Sequence, residues 1–194
     1  MKNIFVVIVC LLLGLKSNIH AQNTALDAWK GIWKGKLEIF TGEGKKQEIP
    51  MELHILPTDS AHKFTFKIIY DKSPRDYTLV VKDATKGIYT LDENNGIKMD
   101  MVLLNNSFVS CFEVMDNILI SSYRLENNQI ISEIFSCSKK QALKTGNMPE
   151  KDIPEVISYP PKVLQRAILR NTKVEDDFLK QEKVKGKKEK RKKR

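Results

Sequence analysis

Side chains able to carry chemistry are sparse in this 194-residue sequence, which has three histidines and three cysteines. His20 falls in an N-terminal apolar segment, leaving His54 and His62. His54 lies on the polar side of an alternating run and His62 in a turn. Neither shares a face with a cysteine or a pair of carboxylates at metal-ligand spacing, so neither metal coordination nor histidine-based acid–base work is indicated. There is no G-x-S-x-G elbow and no paired-cysteine zinc motif. "GEGKK" at Gly42–Lys46 lacks the G-x-x-x-x-G-K-[ST] spacing of a phosphate loop and is expected to be a hairpin turn. No catalytic residue, metal site or cofactor is assigned, and the chain is expected not to be an enzyme.

One arginine is of more interest. In the run Ile118 to Leu125, Arg124 shares a face with Ile118, Ile120 and Ser122. If that face lines an interior, Arg124 and Ser122 would receive a ligand carboxylate, because a guanidinium offers a planar fork of donors. In the inverted register Tyr123 points inward and Arg124 is a surface residue. A third arrangement stacks the arginine on Trp33 at a closed end.

The elements that would position these residues follow from period-two alternation, which dominates residues 31 to about 137. Trp33, Leu37 and Ile39 oppose Lys34, Lys36 and Glu38. Ile49, Met51, Leu53 and Ile55 oppose Glu48, Glu52 and His54, and Phe64, Phe66, Ile68 and Tyr70 oppose Lys63, Thr65 and Lys67. Further runs start at Tyr77, Ile88, Ile97, Phe108, Ile118 and Gln129. Between them stand polar turns such as "DKSPRD", "ENNG", "LNNS" and "ENN". Short strands about ten residues apart predict an all-β, antiparallel up-and-down meander of eight or nine strands. Closing it into a barrel removes the edges that an open sheet would expose. A two-sheet sandwich is the rival, but the long connections it needs are missing. Residues 22–140 are assigned to the barrel, and 141–172 to a linker and one C-terminal helix packed on it. That helix is expected from the i, i+1, i+4, i+5 stripe of Val163, Leu164, Ala167 and Ile168 after a proline pair.

Charge and the N-terminus bound the compartment. Lys2 followed by an apolar run from Ile4 to Leu15 and a small residue at Ala21 predicts a signal peptide over 1–21, and hence a periplasmic or secreted protein. The formal net charge is +9, from 33 bases and 24 acids. Nine of those bases and one acid lie in Lys183–Arg194 and two bases in the N-terminal segment, leaving 22 bases against 23 acids in residues 23–182. The body is thus close to neutral, and residues 173–194 are expected to be a disordered basic tail. Such a tail suits an anionic envelope surface; no nucleic-acid partner is expected, and the chain is expected to be a monomer. Cys111 and Cys137 fall on strands with another between them, beyond the roughly 7 Å Cα separation that a disulfide allows.

Gly31-Ile32-Trp33, reached through a short lead-in and followed by an alternating strand, resembles the G-x-W signature of the calycins: lipocalins, fatty-acid-binding proteins and related bacterial barrels. The second glycine, Gly35, and "QEIPMELHILP" on the next strand look more like uncharacterised exported bacterial lipocalin-like proteins than like animal lipocalins. The resemblance implies that Trp33, with Gly31, is structural and plugs one end of the barrel. It also implies a basic residue of the last strand stacked on that tryptophan, with Lys139 and Lys140 nearest the expected place, and a small apolar or amphipathic ligand inside.

The leading expectation is therefore an exported, non-enzymatic barrel that binds such a ligand. The alternative is an envelope interaction or inhibitor protein acting through its surface and basic tail. An interior of roughly 300 Å³ or more lined by Phe64, Phe66, Met99, Met101 and Phe112 would favour the first. For the tail, deletion of Lys183–Arg194 is expected to abolish salt-sensitive retention on an anionic resin without moving the unfolding midpoint; unaltered retention would refute its role.

Overall fold

The computed structural model describes residues 24–172. The expected signal peptide (1–21) and basic tail (173–194) lie outside the described residues. A single helical turn, α1 (Thr24–Asp27), precedes twelve strands: β1 (Gly31–Thr41), β2 (Gly44–Pro57), β3 (Lys63–Tyr70), β4 (Ser73–Asp83), β5 (Ile88–Asp92), β6 (Lys98–Leu104), β7 (Ser107–Val114), β8 (Asn117–Glu126), β9 (Gln129–Ser138), β10 (Leu143–Met148), β11 (Ile153–Ser158) and β12 (Pro161–Asn171). A 3₁₀ turn, Pro149–Lys151, joins β10 to β11.

Ten of the strands form one closed antiparallel barrel in the order β1-β12-β9-β8-β7-β6-β5-β4-β3-β2. This is the expected all-β meander, with more strands than the eight or nine expected. The largest correction is at the C-terminus, where the expected helix is strand β12. It pairs with β1 from Trp33↔Asn171 to Thr41↔Val163 and with β9 from Arg170↔Gln129 to Pro161↔Cys137. The barrel therefore extends to residue 171, and the segment expected to be a linker is the separate two-stranded sheet β10-β11.

Turn chemistry sets the register. Asn105-Asn106 and Asn127-Asn128, two-residue connections, carry positive φ at both positions. That is the type I′ geometry whose twist matches antiparallel strands, and asparagine tolerates it better than most residues. Across β8, Cys111 lies opposite Ile120 and Cys137 opposite Ile118. With β8 between them the two thiols remain free, Cys111 exposed and Cys137 buried.

One end of the barrel is closed by the lead-in. Leu26 and Trp29 fold over the interior and are almost fully buried, and Trp33 is completely so. The Trp33 Nε1–H donates to the Trp29 carbonyl oxygen at 2.9 Å, which satisfies the one polar group of a buried indole. Phe108 lies edge-on to both Trp29 and Tyr89, with ring centroids at 4.7 and 5.0 Å. The implied basic partner of Trp33 is not found in Lys139 or Lys140. Both lie beyond the far end of β9, where they pair with Glu113 and Asp116. The cation at the closed end is Lys30, whose Nζ stands 5.6 Å from the centroid of the Phe64 ring.

Two glycines are required here. Gly31 has φ +144°, and a Cβ on it would meet Asn171 Nδ2 at 2.5 Å. At Gly35 a Cβ would come within 2.2 Å of the Ile168 carbonyl oxygen on β12, a backbone atom that cannot move without opening the β1–β12 seam. Gly42, in the β1–β2 turn, has open space around it. Gly35→Ala is accordingly expected to destabilise the protein by about 2 kcal/mol or more, and Gly42→Ala to change stability by no more than about 0.5 kcal/mol. Equilibrium urea unfolding of the two variants checks this.

Candidate functional site at the open end of the barrel

The inward row changes character along the barrel. Near the closed end it is made of Trp33, Leu53, Ile55, Phe64, Phe66 and Phe108, all buried. Halfway up, β7 and β8 place small residues inward: Ser110 and Ser121 are a direct cross-strand pair and both are buried. Above them the side chains recede and leave a cavity of about 100 Å³, walled chiefly by Ile68, Tyr70, Tyr77, Met99, Phe112 and Tyr123. Tyr77 and Glu93 are also walls of a polar cleft of about 450 Å³ at the mouth, completed by Pro74, Arg75, Asp76 and Asn95. The cavity and the cleft thus form an apolar pit under a polar rim.

The polar groups of the pit are arranged by the strands. The Ser110 hydroxyl donates to the Asp100 carbonyl oxygen at 2.7 Å, so it makes no demand on a guest. Tyr123 is edge-on to Phe66, with centroids 5.3 Å apart, and hydrogen-bonds Ser132. Burial pushes its phenol well above the ordinary tyrosine value, and the neighbouring Tyr70 and Tyr77 phenols push the same way. Tyr70 is pushed up to about 12, mostly by burial and then by Tyr77, with Arg75 acting in the opposite direction. Tyr77 is raised by burial and by Glu93, again opposed by Arg75. Three phenols and one guanidinium therefore feel one another across the mouth.

The turn after β5 is held firmly. Asn94, at φ 59°, receives a hydrogen bond at its side-chain oxygen from the Thr78 hydroxyl at 3.0 Å and donates to the Asp76 carbonyl oxygen at 2.9 Å. Its own N–H donates to Asp92 at 2.9 Å. Glu93 and Asn95 are thereby fixed beside β4.

The expected site residues separate into three groups. Arg124 and Ser122 face outward, and Arg124 pairs with Glu126 at 3.0 Å on the surface; the carboxylate site proposed for them is corrected. The cause is register, because Ser121 and Tyr123 occupy the buried side of β8. Phe64, Phe66 and Met101 do point inward, but they are packed into the filled half of the barrel. Only Met99 and Phe112 of the expected set border the cavity. The five apolar side chains do not enclose the interior of roughly 300 Å³ that would have favoured ligand binding; what remains is a pit of about 100 Å³. Arg75, Glu93 and the three tyrosines were missed as a group. Their signal was the alternation itself: Arg75 precedes Tyr77, Leu79 and Val81 on one face of β4, and Glu93 follows Tyr89 and Leu91 on the inward side of β5.

No protein-family model matches the chain, and no curated protein does either. Among solved structures the chain is similar to the S-type phycobiliprotein lyase CPES from Guillardia theta, at 7% identity and a TM-score of 0.48, covering 75% of this chain and 89% of that one. No residue role carries over at that distance. The expectation that the chain is not an enzyme is not upheld. The ground for that expectation was a shortage of histidine, which speaks only against histidine-centred chemistry and not against tyrosine, arginine or carboxylate chemistry.

The raised phenols have a consequence for stability. A tyrosine whose folded value exceeds the unfolded value of about 10 binds its proton more tightly when folded. Its contribution is complete below pH 10 and is lost as the pH rises through the folded value, which for Tyr70 is about 12. Thermal unfolding midpoints are therefore expected to fall between pH 10 and 12, and less steeply in Tyr70→Phe; an unchanged slope in that variant would contradict the assignment.

Proposed function

We propose that this protein is an exported, calycin-like barrel that binds a small amphipathic molecule at its open end. The observation that carries the reading is the pit under the polar rim. A cavity of about 100 Å³ formed by Ile68, Tyr70, Tyr77, Met99, Phe112 and Tyr123 shares the walls Tyr77 and Glu93 with a cleft lined by charged residues. Apolar depth with a few polar groups at the entrance is the usual composition of a small-molecule site. The volume sets the class of guest. A cavity of about 150 Å³ admits benzene, so this one suits an apolar group smaller than a phenyl ring, with the remainder of the ligand in the cleft. A long acyl chain does not fit the filled half of the barrel. Export rests on the sequence pattern of residues 1–21, and calycin kinship on Gly31-Ile32-Trp33 together with barrel closure.

A second reading, an interaction protein, has one observation in its favour. All residues of β10 and β11 are exposed, among them Leu143, Met148, Ile153, Val156 and Ile157. Replacing Val156 and Ile157 by serine separates the two, because small-ligand binding should be untouched while a partner contact would weaken.

The direct test is a titration of the full chain with isobutanol, a neutral probe of the right size, followed by amide NMR shifts. Saturable shifts at Ser110, Ser121 and Tyr123 are expected. Ser121→Leu, which fills the pit, is expected to weaken binding by about tenfold or more. Shifts that fail to saturate, or that survive Ser121→Leu, would overturn the reading.

A further inference from the structure

The two charged residues of the mouth that lie in register with the inward rows are also the two that make no ion pair with any described residue. Arg75 makes no side-chain hydrogen bond or ion pair with any described residue, and Glu93 accepts only a hydrogen bond from Asn95 Nδ2 at 3.1 Å. Their neighbours are all spoken for. Asp76 pairs with Lys67 at 2.9 Å and Asp92 with Lys98 at 3.1 Å. Arg75 and Glu93 belong to the same cleft without pairing with each other. Two spare charges of opposite sign therefore flank the entrance to an apolar pit.

We propose that the open end binds a zwitterionic α-amino acid with a small aliphatic side chain. Arg75 takes the carboxylate, Glu93 takes the ammonium group, and the side chain enters the pit beneath Tyr77. This rests on the ligand-binding reading above and specifies its guest. A plain anion would meet Arg75 but be opposed by Glu93, and a plain cation would meet Glu93 but be opposed by Arg75. A guest that carries both charged groups on one carbon satisfies both, through charge-assisted hydrogen bonds at the entrance. Arg75 follows the inward alternation of β4, and Glu93 is held beside that strand by the Asn94 clamp on Thr78 and Asp76, so the backbone positions that carry the two charges are set before a guest arrives. The volume of the pit selects a side chain of about four carbons over an aromatic one.

The test compares four probes on the full chain by calorimetry: leucine, 3-methylbutylamine, 4-methylpentanoate and isobutanol. The amine lacks the carboxylate, the acid lacks the ammonium group, and the alcohol reports on the pit alone. Leucine is expected to bind about tenfold or more tightly than the amine or the acid. Arg75→Gln should bring leucine down to the level of the amine, and Glu93→Gln down to that of the acid. Both substitutions should leave the unfolding midpoint unchanged, and Arg75→Gln, which lies outside the pit, should leave isobutanol binding unchanged as well. If leucine is no better than both truncated probes while isobutanol still binds, the zwitterion assignment fails and the cavity reading stands. If isobutanol fails to bind, or leucine binding survives Ser121→Leu, the reading of the pit as the site fails with it.

Discussion

Closure of the barrel turns on the seam between β1 and β12, where the two backbones approach so closely at Gly35 that even a methyl group would fall 2.2 Å from the Ile168 carbonyl oxygen. Without β12, strands β1 and β9 would each present a row of unpaired N–H and C=O groups to water or to other chains. With it, every barrel strand has two neighbours. The consequence reaches the mouth, because which side chains face inward on β3, β4, β5, β7 and β8 is fixed only once the sheet is curved into a tube. A one-residue slip would send Tyr70, Tyr77 and Tyr123 to the outside. Trp33 stands beside this seam, and its indole N–H ties β1 back to the lead-in through Trp29.

Filling one half of the tube leaves room in the other. Tryptophan, phenylalanine and tyrosine at the closed end bring large apolar surfaces together in edge-on contacts below Ser110 and Ser121, where the side chains are buried. Serine at both positions of a cross-strand pair removes the bulk that would otherwise fill the mouth. Their hydroxyls do not make the pit hydrophilic, since Ser110 is committed to the Asp100 carbonyl. No buried side-chain polar atom among the described residues lacks a partner. The pit therefore has apolar walls with satisfied polar atoms behind them, a condition under which an apolar guest competes well with water.

The parts of this fold legible in the sequence are those where each strand buries one face and bares the other. β1, β2 and β3 alternate, with Ile69 the apolar exception on the outer side of β3, and their inward residues were identified correctly, as were the asparagine turns. β12 was not legible, because Leu164 and Ile168 are apolar on its outer side while Val163, Ala167 and Leu169 are apolar on its inner side. Apolar residues on both faces imitate a helical stripe, and Leu, Gln, Arg and Ala are good helix formers. The unpaired edges of β1 and β9 override that local preference, a constraint that no window of twelve residues contains. The site was half legible for a related reason. On β8 both faces carry apolar residues, Ile118 and Ile120 outside and Leu119 and Tyr123 inside, so Arg124 could be placed on either. On β4 the inward row was recognised from Tyr77 onward, but Arg75 was absorbed into the turn because Pro74 precedes it; the strand begins at Ser73. Proline at the start of a strand is compatible with that strand.

Order is unequally distributed between the site and the β10–β11 arm. A lone two-stranded ribbon with both faces in water is marginal by itself. At its root, the Ser138 N–H donates to the Pro160 carbonyl oxygen at 3.2 Å and the Lys139 N–H to the Asp116 carbonyl oxygen at 2.9 Å. The walls of the pit, by contrast, belong to strands paired on both sides and backed by the aromatic core. Arg75 is paired through β3 alone, opposite Ile68, and Glu93 stands just past β5, its N–H donating to the Ile97 carbonyl oxygen at 2.9 Å, so both lie at the margin of that framework and near the surface. Their charges can be left unpaired at modest cost because water still reaches them. A guest that excludes that water raises the worth of each charge at the moment both find partners, so the same exposure that makes the empty site tolerable makes it selective for a ligand able to satisfy both.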